Sequence, residues 1–168
     1  MANSKRLAMD AEDGSSTALS RLRERAGIVD DAIVQRLQAL GYTDETVILI
    51  RLIPLIAVAW ADGSVSESER EAIRAEAQAQ GVESGSLADR QLGEWLTAAP
   101  SEAFQDASVQ ILAASANGDL AGVLSACHKV ASASGGLFGF GAISRREQDV
   151  LDRLANAFVR KGIATPHR

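Results

Sequence analysis

Cysteine is nearly absent from this chain of 168 residues: Cys127 stands alone. That excludes an intrachain disulfide and a thiolate-rich zinc site, and it fits a reducing, cytoplasmic compartment. Aromatic residues make up 4%, too few for the aromatic and β-branched faces of a sandwich or barrel, whereas plentiful alanine suits closely packed helices. Positive charge is also in deficit. With 17 Lys and Arg against 22 Asp and Glu, the formal net charge is -5, so no overall positive field draws in a phosphate backbone and nucleic acid is not an expected partner. The basic residues that do gather, Arg21, Arg23 and Arg25 early and Arg145, Arg146, Arg153, Arg160 and Lys161 late, alternate with carboxylates or ride on outer helix faces. One long apolar run exists, Val47–Trp60, but it is shorter than the ~20 residues a bilayer requires and it contains Arg51 and Pro54. It reads as a buried central helix, kinked at Pro54, and no transmembrane segment is expected.

What is present is a 46% hydrophobic content, enough for one compact core at this length. The first residues, MANSKRLAMDAEDGSST, carry a basic pair with no apolar stretch behind it, so residues 1–17 read as a flexible tail rather than a secretory leader, and residues 18–168 as a single domain. Leu19 and Leu22 give a weak helical stripe between Ser16 and Ala26. A helix from about Asp30 places Ile33, Val34, Leu37 and Leu40 on one side before Gly41. Thr43 or Asp44 can cap the central helix. After Asp62-Gly63, Ser66 and Glu69 stand in capping-box register, with Gly81 as the stop. A shorter helix carries Leu87, Leu92, Trp95 and Leu96 and must end before Pro100. Ser101 opens the next, with a stripe of Phe104, Ala107, Ile111 and Ala114 ending at Asn117-Gly118. Leu120, Val123, Leu124, Cys127, Val130 and Ala131 make another. The last begins at Ser144, with Glu147 again in capping-box register, and buries Val150, Leu151, Leu154, Ala155 and Phe158 before Lys161 and Gly162 close it. No segment alternates with period two, so the fold class is all-α, a bundle of about seven to eight helices.

One device occurs twice. VAWADGSVSESEREAI and VASASGGLFGFGAISRREQDVL each run from an apolar helix through Ala-x-Ala and a glycine-containing loop into a capped helix, so that Val65, Ser66 and Glu69 correspond to Ile143, Ser144 and Glu147. In the second copy Ser134 replaces Asp62. On AWADGSVSESE and GGLFGFGAISRREQDVL the chain resembles the TerB-like family of bacterial tellurite-resistance and stress proteins, over roughly residues 43–163. The resemblance implies a compact TerB-like helical bundle with two pseudo-repeated helix-loop-helix units and an acidic surface. It also implies a non-enzymatic role: binding a divalent cation and joining a membrane-associated assembly, cytoplasmic or peripheral to the inner membrane, that responds to metal, tellurite or envelope stress. By position, Asp62 and Glu69 match the family's acidic pattern.

The residues carry a matching chemistry of their own. Asp62, Ser64, Ser66, Glu67 and Glu69 concentrate oxygen donors within one loop and first turn, and hard cations such as calcium and magnesium take oxygen ligands. The candidate metal ligands are Asp62, Ser66 and Glu69. An EF-hand is excluded, because its sixth and twelfth positions, counted from Asp62, are Glu67 and Ile73 where glycine and glutamate are required. A structural reading covers the same residues: Gly63 makes a turn, Ser66 and Glu69 cap a helix, and the further glutamates suit its positive end. Both readings stand at this level. Gly136, Gly139 and Gly141 run GxxGxG after a helix, not GxGxxG after a strand, which argues against a nucleotide site. Phe138 and Phe140 can plug the bundle or, with Trp95, form a docking surface for a protein partner. His128 has no ligand-spaced companion, Cys127 falls on the apolar stripe, and no serine stands in a GxSxG elbow. The expectation is therefore a cation- or partner-binding TerB-like module. The alternative is a pure protein-interaction module with no metal site, and a third reading, an enzyme using Asp62 and Glu69 as paired carboxylates, requires a cleft with perturbed carboxyl groups.

Overall fold

The computed structural model describes residues 16–115, 119–133 and 143–162, which form eight α-helices and one 3-10 segment with no strand among them. Helix α1 spans 16–26 and takes in two residues of the expected tail; Gly27, at φ 63°, breaks it in the left-handed region. Asp30 caps α2 (Asp31–Ala39), its carboxylate accepting from Ala32 N at 2.8 Å. α4 (Glu67–Ala79), α5 (Leu87–Thr97), α6 (Glu102–Ser115), α7 (Leu120–Ala133) and α8 (Arg145–Gly162) have bounds close to those the sequence signals predict.

The central run differs from its expected form. Val47–Leu52 winds as a 3-10 helix and passes directly into α3 (Ile53–Ala59), so there is no single α-helix for Pro54 to kink. Pro54 instead occupies the first turn of α3, where its missing N–H would have had no intrahelical partner. Neither Thr43 nor Asp44 caps it: Thr46 precedes the 3-10 segment without a side-chain cap, and the Thr43 hydroxyl accepts from Thr46 N at 3.3 Å while Thr46 Oγ1 accepts from Thr43 N at 3.0 Å in the turn before it. Leu49, Leu52, Ile53, Leu55, Ile56 and Val58 are fully buried, as an all-round apolar segment requires.

α3 is the spine, packed on α7, α6 and α8, while α4 lies chiefly on α7. Two stripes are rotated from their expected positions. In α5 Leu87 is exposed and Ala88 is buried, because Ser86 caps the helix by accepting from Asp89 N at 3.1 Å and so fixes where its first turn faces. In α6 Ala114 is exposed, and Ser108, Val109, Leu112 and Ala113 join Ile111 inside. Ser108 is tolerated there because its hydroxyl shares a 3.0 Å hydrogen bond with the phenol of Tyr42. Tyr42, Trp95 and Phe104 form a ring cluster, with centroids 5.4–6.5 Å apart.

Candidate functional site

The acidic turn begins where α3 stops. Gly63 N donates to Trp60 O at 2.8 Å, and its φ of 89° reverses the chain at a conformation that favours glycine. Ser66 then adopts extended backbone as the N-cap of α4. Its hydroxyl accepts from Glu69 N at 3.3 Å, while Glu69 Oε2 accepts from Ser66 N and Ser66 Oγ, both at 2.7 Å. The capping box is complete.

This geometry divides the three candidate ligands. Ser66 and Glu69 are joined, but to each other and to the helix end. Asp62 lies exposed on the turn, whereas Glu69 is only 3% exposed and faces the interior. Among the described residues no group of three or more His, Cys, Asp and Glu side chains converges as a metal would require. Glu67 and Glu71 are exposed on α4, and Glu67 lies 3.6 Å from Arg70.

The second capping box forms too. Ser144 N donates to Glu147 Oε2 at 2.7 Å, and Glu147 N to Ser144 Oγ at 3.2 Å. Glu147 is 2% exposed, and its carboxyl comes within hydrogen-bonding reach of Glu69. Two ionised carboxylates repel and neither can donate, so a proton on Glu69 relieves the contact. Burial is the main reason the Glu69 carboxyl is held above its ordinary range; the hydrogen bonds from Ser66 pull it back, and the charge of Glu147 raises it further. Sequence reasoning found both caps and grouped Glu69 with Asp62 and Ser66; the neighbouring Glu147 was signalled by its correspondence with Glu69 in the repeat.

The remaining candidates are placed more simply. Cys127 is fully buried on α7, and burial pushes its thiol up to about 12, the opposite of an activated nucleophile. His128, the next residue, is exposed. Trp95 is half-buried within the ring cluster, and its carbonyl accepts from Trp60 Nε1 at 2.9 Å, so it is partly used in packing. Gly136, Phe138, Gly139, Phe140 and Gly141 lie outside the described residues, as do Asn117 and Gly118. No helix among the described residues is long and apolar enough to cross a membrane. No protein-family model, curated protein or solved structure matches the chain.

Proposed function

We propose that this chain is a non-enzymatic binding module of the TerB-like kind whose acidic surface, from Asp62 along α4, engages a cationic protein partner. One observation carries the reading: Asp62, Glu67 and Glu71 are exposed while Glu69, the residue that would have gathered them around an ion, is turned inward and engaged by its own cap. Carboxylates spread over a surface suit the separated guanidinium and ammonium groups of a partner. A dehydrated calcium or magnesium ion instead needs several oxygens converging at roughly 2.0–2.6 Å. The stress-response setting comes from the likeness of AWADGSVSESE and GGLFGFGAISRREQDVL to that family.

Thermal unfolding of chelator-treated protein, with calcium, magnesium, manganese or zinc added singly at constant ionic strength, tests the choice between partner and ion. The partner reading expects no ion-specific rise in Tm. A selective rise that disappears in Asp62→Ala would replace it with a cation site. In-cell cross-linking of the wild type beside a Glu67→Lys/Glu71→Lys variant supplies the other half. A partner captured by the wild type and lost on charge reversal supports the reading; equal capture by both overturns it.

A further inference from the structure

A hollow of about 460 Å³ opens on the side of the bundle where α1 ends and α7 begins, and none of the acidic-turn residues lines it. Its lining mixes apolar and polar side chains: Ile48 and Leu120 are half-buried beside the core residues Leu37, Ile50, Leu112 and Val123, and Arg25, Arg51 and Asp119 stand among them. Arg25 stands at the rim, exposed, with no ion-pair partner among the described residues. Arg51 reaches Asp119 Oδ2 at 3.2 Å. That carboxylate is already engaged on both oxygens, since Oδ1 accepts from Gly122 N at 3.1 Å as the cap of α7. Asp119 therefore neutralises one guanidinium and leaves the other, a local positive charge on a chain whose net charge is -5.

We propose that this hollow binds a small anionic amphiphile: a carboxylate on Arg25, assisted by the unused N–H groups of Arg51, with a medium-length alkyl tail laid against the apolar side chains of the lining. The volume lies within the range of small-molecule sites, roughly 300–1,000 Å³, and a protein partner would need a far larger patch, about 800 Å² on each side. A cationic ligand meets a free arginine. A wholly polar ligand leaves those side chains unmatched, whereas an alkyl tail removes apolar surface from water on both sides. The guanidinium fork matches a carboxylate in geometry as well as in charge.

Titration calorimetry and thermal unfolding with decanoate, kept below its micelle concentration, test the proposal, with decanol and decyltrimethylammonium as matched-chain controls. Decanoate is expected to bind and raise Tm, with both controls weaker. Arg25→Glu, a change at an exposed position, is expected to weaken decanoate by roughly tenfold or more, the loss of a charge-assisted contact. Ala26→Phe, at the edge of the same hollow, is expected to abolish binding by filling it. If that variant fails to fold, Arg25→Glu decides alone. No binding by the wild type, equal binding of decyltrimethylammonium, or binding unchanged in Arg25→Glu would each overturn the site, the last pointing to detergent-like adsorption elsewhere.

Discussion

Glu69 and Glu147, the third residues of α4 and α8, each reach back to cap their own helix and bring their carboxyls together in the interior. Local rules make each glutamate a cap, and the fold makes the two a pair. Burial beside a like group disfavours the charged form, so the native state takes up a proton on Glu69 more readily than the unfolded chain does.

The sign of the resulting pH dependence follows. A raised native value means that the contribution is fully present below the ordinary carboxylate range and is lost as pH rises through the native value. Denaturant unfolding from mildly acidic to neutral pH should show this component in the wild type, and Glu69→Gln should flatten it. The amide can still accept from Ser66 while donating to Glu147, so the variant should be no less stable than the wild type at neutral pH. Parallel curves for the two proteins would show that the pair does not titrate in that window.

Ser66→Ala removes the acceptor for Glu69 N and one donor to its carboxylate, and should cost about 0.5–2 kcal/mol in urea unfolding, as cap removals do. Asp62→Ala, at an exposed position, should stay within about 0.5 kcal/mol. Measured in chelator, this contrast checks the split of the acidic turn into an inward cap and an outward surface. A large loss in Asp62→Ala would contradict it.

The two glycines inside α5 and α7 should respond oppositely to alanine. A Cβ on Gly93 meets nothing nearer than Arg74 Nη2 at 3.7 Å, so Gly93→Ala should stabilise by about 0.5–1 kcal/mol. A Cβ on Gly122 would clash with the Asp119 carboxylate, forcing out the cap of α7 and with it the ion pair to Arg51. Gly122→Ala should therefore forfeit that gain and lower Tm.

Ser108→Ala leaves the buried Tyr42 phenol without its partner, at a cost of about 1–3 kcal/mol. Adding Tyr42→Phe should cost much less than the sum of the two single changes, because both ends of the bond are then gone. A double-mutant cycle in urea measures the coupling. Additive losses would mean that the bond contributes little.

The caps at Ser66, Ser86, Ser101 and Ser144 join a side chain to a backbone N–H three residues along. Two of the four, Ser66 and Ser144, were legible as spacing alone, and Ser101 as the start of the helix after Pro100. Cys127, Leu151, Leu154 and Phe158 were equally plain, because a stripe at helical period has one way to face inward. Ser108 was not legible, since a serine among alanines gives no hint of the tyrosine that satisfies it from another part of the chain. The Val47–Leu52 segment was read as α-helix because an all-round apolar run fixes burial but not winding.

The candidate site divides in the same way. The sequence by itself determined that Ser66 and Glu69 form a cap, because i to i+3 geometry is set by the helix they begin. Only the tertiary structure decided that the buried Glu69 meets Glu147, and that Arg25, with no ion-pair partner among the described residues, lines a hollow beside the core. Those relationships depend on how helices distant in the chain pack together, and local spacing carries no record of it.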